Sequence, residues 1–149
     1  MSLEGTSALV SDRYLITAEV DSAATVTAGN VVYISAAGFI PKVKITDGAR
    51  KDVIGVALTG GTAGQKITVI CRGLVRVVAS GAISMAARIV SAASGQVASV
   101  AALAAPGSDT YTTAAMQTQL DKTEQWIGRA LTVATNPGDV IYALLSCLP

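Results

Sequence analysis

An internal duplication constrains this chain more than any other feature. Ile54-Gly55-Val56-Ala57-Leu58-Thr59 recurs as Ile127-Gly128-Arg129-Ala130-Leu131-Thr132. A short gap follows each copy. Then Gly64-Gln65-Lys66-Ile67-Thr68-Val69-Ile70 is matched by Gly138-Asp139-Val140-Ile141-Tyr142-Ala143-Leu144. Upstream, Val32-Tyr33-Ile34-Ser35-Ala36-Ala37-Gly38 matches Ile89-Val90-Ser91-Ala92-Ala93-Ser94-Gly95, and Ala28-Gly29 ahead of it matches Ser80-Gly81. All blocks keep their order. The copies occupy about residues 25–75 and 77–147. A unit this short cannot bury its own apolar face, so the pair predicts one pseudo-two-fold domain whose halves close a common core.

The text between these blocks is strand and turn. Runs rich in β-branched residues predict strands over 13–20, 31–35, 39–45, 53–58, 66–78, 88–91, 96–100, 126–133 and 139–147. Ala28-Gly29-Asn30, Asp47-Gly48, Gly60-Gly61, Ser94-Gly95 and Asn136-Pro137-Gly138 punctuate them. Many short strands at this spacing predict an all-β fold, a compact barrel or a sandwich. The second copy carries an extra stretch over 101–125. Within it, residues 109–124 read as a short helix capped by Ser108 or Asp109, with Ala115, Met116, Gln119 and Leu120 at helical spacing. The alternative is an exposed loop, since threonine is a weak helix former.

Composition removes several kinds of chemistry. The chain has no histidine, so no Ser-His-Asp triad, Cys-His dyad or His-based metal site is available. Gly60-Gly61-Thr62-Ala63-Gly64-Gln65-Lys66 departs from phosphate-loop spacing, because Gln65 separates the glycine from Lys66 and a strand follows. A hairpin loop is the expectation there. Asp47 and Asp52 flank Arg50 and Lys51 as loop ion-pair partners, and Asp121 and Glu124 lie beside Lys122. Neither pair sits in text that suggests a cleft. The expectation is a protein that is not an enzyme and takes no metal and no cofactor. Cys71 and Cys147 match no metal spacing and read as small buried apolar residues, and a disulfide between them stays open.

Charge and hydropathy narrow the partners. Hydrophobic residues make up 51%, charged residues only 14%, and the net charge is +1. A near-neutral chain is a poor non-specific nucleic-acid binder. Its few aromatic residues also leave little for base stacking, and Tyr33, Phe39, Trp126 and Tyr142 read as core or interface packing. The mean hydropathy of +0.53 raises the question of a membrane span. The longest nearly uncharged stretch, 89–107, is Ala-Ser-Gly text and not the roughly 20 strongly apolar residues a spanning helix needs. The start of the chain lacks a basic region and an apolar run, so no secretory signal is expected. Low surface charge favours self-association. Residues 1–41 are acidic and residues 42–88 basic, which reads either as solvated surface charge or as steering for head-to-tail contact.

Residues 1–12 stand outside the repeat. With Leu3, Leu9 and Val10 as apolar points among Ser, Gly and Thr, they read as a tail or as an arm that adds to a neighbouring protein. Residues 13–149 then form a single barrel domain.

The blocks AGNVVYISAAGFI, DVIGVALTGGTAGQKITVICRGLVRV and WIGRALTVATNPGDVIYALLS resemble the tailed-phage capsid cement or head decoration proteins. The resemblance spans about residues 13–146, and the twice-used Ile-Gly-x-Ala-Leu-Thr is its most specific part. It implies a β-barrel of the β-tulip kind and a homotrimer on the outer capsid surface of the virion, with the major capsid protein as partner. It also implies an arm whose contacts here would be Leu3, Leu9, Val10 and Tyr14. It brings no catalytic motif, no cofactor, no nucleic acid and no membrane. The expected function is capsid decoration that stabilises the expanded head. The alternative is a virion-surface ligand- or carbohydrate-binding β domain without catalytic activity. An enzyme using the Gly60–Lys66 loop stands further back, on the spacing mismatch.

Overall fold

A computed structural model describes residues 13–100 and 112–147. The strands are β1 (Tyr14–Val20), β2 (Thr25–Val26), β3 (Val31–Ala36), β4 (Lys42–Ile45), β5 (Val53–Ala57), β6 (Gly61–Thr62), β7 (Lys66–Val78), β8 (Arg88–Ser91), β9 (Val97–Ser99), β10 (Trp126–Ala130) and β11 (Val140–Ser146). One helix, α1 (Thr113–Glu124), precedes β10. The fold is all-β, as the strand-and-turn text predicts. The largest sheet runs β1-β4-β3-β5-β7-β11-β10-β8-β9. Pairing of β1 with β7 closes its first five strands into a barrel.

The second half repeats the first, strand for strand. β4-β3-β5-β7 corresponds to β9-β8-β10-β11. Val32 sits opposite Gly55, and Ile89 opposite Gly128. Leu58 N–H donates to Thr68 O at 2.8 Å, and Leu131 N–H to Tyr142 O at 2.8 Å. Thr59 Oγ1 and Thr132 Oγ1 accept from the Thr68 and Tyr142 amides, each at 3.0 Å. Val20 N–H donates to Gln65 O and Ala79 N–H to Asp139 O, both at 2.8 Å. Val20 therefore corresponds to Ala79, and β1 corresponds to the second part of β7. The 13-residue β7 is thus the last strand of one half and the first strand of the next. A parallel bridge between Ala79 and Val97 takes the place of the parallel β1–β4 pairing.

Two expectations need correction. Gly29 does not correspond to Gly81. Its N–H donates to Ala57 O, and the matching bond runs from Ala86 N–H to Ala130 O, both at 2.8 Å. Both residues have positive φ, 91° at Gly29 and 63° at Ala86. Glycine is the easy residue for that conformation and alanine a costly one, so the residue types diverge where the backbone does not. The halves also do not share one core. Ala18, Val20, Val26, Val32, Val43, Ala57, Ile67 and Val69 form one buried cluster. A larger cluster fills the second half and takes in Val31, Val53, Val56 and Ile70 from the first. Neighbouring residues Val31–Val32, Val56–Ala57 and Val69–Ile70 split between the two clusters. Because successive side chains of a strand face opposite ways, β3, β5 and β7 form the wall between two cores.

The helix alternative holds over 113–124. Its N-cap is Thr112, whose Oγ1 accepts from Ala115 N–H at 3.2 Å. The expected caps Ser108 and Asp109 lie outside the described residues. No residue of α1 is buried. Lys51 of the first half ties it down through Asp121 and through Glu124 at 2.8 Å. The two carboxylates thus find Lys51 and not the adjacent Lys122.

Candidate interaction surface

Among the described residues no group of three or more His, Cys, Asp or Glu side chains is placed to hold a metal ion. No helix among them is long and apolar enough to cross a membrane. The Gly60–Lys66 stretch forms β6 and the turn into β7. Gly64 adopts φ 77°, Gln65 Oε1 accepts from Thr62 N–H at 2.8 Å, and Lys66 is exposed at the head of β7, opposite Glu19.

The carboxylates are occupied locally. Arg50 bridges Asp47 at 3.0 Å and Asp52 at 2.7 Å, and its guanidinium lies 3.6 Å from the centre of the Tyr33 ring. The hydrogen bonds from Arg50 hold both aspartates below the usual carboxylate range. Glu19 pairs with Lys42 at 3.4 Å and Asp21 with Lys44 at 3.5 Å. Asp21 is lowered first by the Ser35 hydroxyl, which donates at 2.7 Å. Asp139 accepts from the amides of Asn136 at 2.9 Å and Thr135 at 2.8 Å, and these lower it.

Cations without a carboxylate partner among the described residues gather elsewhere. Arg72 and Arg76 project outward from β7, and Arg13, Arg88 and Arg129 lie around the same sheet. Arg88 and Arg129 face the Trp126 ring at 5.0 and 6.0 Å, a cation–π arrangement. The Trp126 indole N–H donates to Gly128 O.

Apolar side chains occupy the same face. β11 alternates exposed and buried, which leaves Val140, Tyr142 and Leu144 outward. They sit opposite Val78, Arg76 and Leu74 of β7, and Leu74 is exposed as well. In the first half the equivalent positions are Lys66, Thr68 and Ile70. Only Ile70 there is large and apolar, and it is fully buried. The exposed apolar run of β11 therefore has no counterpart in the first half, although Leu15, which matches Leu74, is exposed as well. Two grooves flank it. One, of about 500 Å³, is bounded by Arg13, Leu58, Leu74, Arg76, Val140 and Tyr142 among others. The other, of about 390 Å³, is bounded by Arg72, Trp126, Arg129 and Leu144 among others.

Of the four expected arm contacts, Leu3, Leu9 and Val10 lie outside the described residues. Tyr14 is exposed at the start of β1, opposite Arg72. The four aromatic residues expected in packing are all outside the core. Phe39, Trp126 and Tyr142 are exposed and Tyr33 is half-buried under Arg50. The stripe is hidden in the sequence because Val-Ile-Tyr-Ala-Leu-Leu reads as a strand buried on both faces. The signal for it is the contrast of Val140 and Tyr142 with Lys66 and Thr68 at the matched positions of the first copy.

Cys71 and Cys147 are free thiols, one buried and one half-buried. Ser146 pairs with Arg72 and Cys147 N–H donates to Cys71 O at 3.2 Å, so the two cysteines face each other across β7 and the end of β11. Burial raises both thiol pKa values, and that of Cys147 is pushed up to about 12, with Cys71 adding to it.

Comparison of the sequence with family models and with curated proteins finds no match. Among solved structures the chain is similar to the N base of the head fibre protein gp8.5 of bacteriophage phi29. The identity is 14% and the TM-score 0.58, over 91% of this chain and 95% of that one. At that identity the likeness is one of fold, and it extends over nearly the whole of both chains.

Proposed function

We propose that this chain is a structural protein of tailed-phage heads. It binds the outer surface of the expanded head as a homotrimer, with the major capsid protein as partner, and stabilises it without catalysis. The observation that carries this reading is the fold shared, almost end to end, with the base of a phage head fibre. The exposed stripe of Leu74, Val140, Tyr142 and Leu144, flanked by arginines, supports it as a surface made to be covered. Leu3, Leu9, Val10 and Tyr14 supply further contacts to the head or to a neighbouring copy.

Stabilisation follows mass action. A protein that binds the expanded lattice and not its unexpanded or disrupted forms shifts the equilibrium by its own binding free energy. Trimers spread over several subunits add interface area against the outward pressure of packaged DNA. The test is co-sedimentation of the purified chain with undecorated heads before and after expansion, alongside its native mass in solution. Saturable binding to expanded heads, with a rise in their disruption temperature, is the expected result. Absence of binding to both head forms would remove the reading.

A further inference from the structure

Arg88 of β8 and Arg129 of β10 lie directly opposite each other, and both are exposed. Like charges at facing positions of neighbouring strands are destabilising. Among the described residues no carboxylate pairs with either arginine. What offsets the repulsion is the Trp126 ring, 5.0 and 6.0 Å away, and a hydrogen bond from Arg129 to Ala86 O at 3.2 Å. The fold thus holds two cations together on an open sheet face without an anion between them.

The pair is one end of a continuous outward row. Arg129 stands opposite Leu144, and Leu144 opposite Leu74. On either side of that row Tyr142 faces Arg76 and Ser146 faces Arg72. No carboxylate lines either flanking groove. The contrast with the rest of the molecule is sharp. Lys42, Lys44, Arg50 and Lys51 all bind carboxylates, and Arg50 is the one arginine that does so among the described residues. The backbone of β10 and β11 is bonded to a strand on each side, so a partner meets this face through side chains and not by adding a strand.

The side chains state what the partner is. Arginine with tryptophan, tyrosine and leucine is the composition of a protein-binding centre. Guanidinium groups with free donors match carboxylates. A second copy is a poor occupant. Its described carboxylates are committed to its own cations or, for Asp139, to backbone amides, and two such faces in contact would oppose arginine to arginine. Nucleic acid is poorer still, because a net charge of +1 and the aliphatic Leu74, Val140 and Leu144 between the arginines do not suit a phosphate backbone.

We propose that this face docks on an acidic protein surface of the head, one that sets carboxylates for Arg72, Arg76, Arg88 and Arg129 around an apolar centre that covers Leu74 and Leu144. The inference rests on the proposed head-binding function and adds to it which face of this chain meets the head and what charge it meets there.

The test is co-sedimentation of the full chain and its variants with expanded heads. Arg88→Glu should weaken binding about ten-fold or more, and so should Arg72→Glu combined with Arg76→Glu. Lys66→Glu, on the first half, should leave binding within about two-fold of the native chain. Arg88→Glu also sets an opposite charge across from Arg129, so its urea midpoint should hold or rise while its binding falls. An arginine with only a structural role would lose both together. Raising salt from roughly 50 to 300 mM should weaken native binding several-fold. Native binding indifferent to the arginine reversals overturns this inference and leaves the head-binding function standing, whereas absence of native binding removes both. A smaller native mass for Arg88→Glu assigns the face to a second copy. Single-stranded DNA bound as tightly as heads, and released by the same variants, assigns it to nucleic acid. Either result overturns the inference.

Discussion

Gly55 and Gly128 stand at one and the same place in the two halves, each with its Cα pressed onto a neighbouring strand. A Cβ on Gly55 would overlap the carbonyl oxygen of Ile70, and a Cβ on Gly128 that of Leu144. Ile70 and Leu144 are themselves matched positions of the repeat. The obstacle is backbone in both cases, so no side-chain rotation relieves it. Gly55→Ala and Gly128→Ala should each cost roughly 3 kcal/mol, read by urea unfolding. Gly81→Ala, where a Cβ meets nothing within 4 Å, should be near neutral. Equal, small losses at all three positions would contradict this account.

The halves are also latched by Thr46 and Ser91, the two buried polar side chains among the described residues. Thr46 Oγ1 donates to Ala92 O at 2.8 Å. Ser91 Oγ donates to Gly48 O at 2.8 Å and accepts from Arg50 N–H at 3.0 Å. Ser91→Ala leaves a half-buried amide and carbonyl without partners, which should cost about 1 kcal/mol or somewhat more. Because the surface exposed on unfolding hardly changes, the urea midpoint should fall with the slope unaltered.

Helix α1 has no buried residue, so its attachment through Lys51 is unusually easy to isolate. Lys51→Met removes the bridges to Asp121 and Glu124. These pairs are exposed, so global stability should change by less than about 1 kcal/mol. Amide exchange over 116–124 should accelerate several-fold, while β7 and β11 stay protected. Unchanged exchange in the helix would mean that Lys51 does not hold it.

The thiols give a pH dependence of known sign. The Cys147 pKa is raised from an ordinary 9.0 to about 12 by burial, and Cys71 moves the same way. The folded protein therefore keeps protons that the unfolded chain releases. The associated stability is fully present below pH 9 and is lost as the pH rises toward 12. The stability difference between the native chain and Cys147→Ala should shrink across that window. Alkylation of the folded protein at pH 8 should lag far behind that of the unfolded protein.

Local pattern revealed the strands well. Lys66–Val78 and Arg88–Ser91 have their predicted bounds, because β-branched runs there end at clear turn residues. The repeat was legible because Gly55 and Gly128 cannot be replaced where strands touch, and the pairing of Ile70 with Leu144 follows from it. The double core was not legible. Apolar neighbours such as Val31 and Val32 look the same whether they face one core or two. The equivalence of Ala86 with Gly29 was hidden because the same positive-φ conformation is held by glycine in one half and by alanine in the other. The surface was the least legible part. Tyr142 and Leu144 are apolar in a strand, and nothing local says which face is left open.

The thirteen residues of β7 have no linker between the part that closes the barrel and the part that opens the second half. Arg72 pairs with Tyr14 of β1 on one edge and with Ser146 of β11 on the other. Tension on either half is therefore passed to the other along one unbroken strand. Antiparallel neighbours flank that strand and would be loaded in shear, with many hydrogen bonds strained together instead of being peeled apart singly. Pulled lengthwise, the molecule should yield as one mechanical unit, with no separate extension of two lobes.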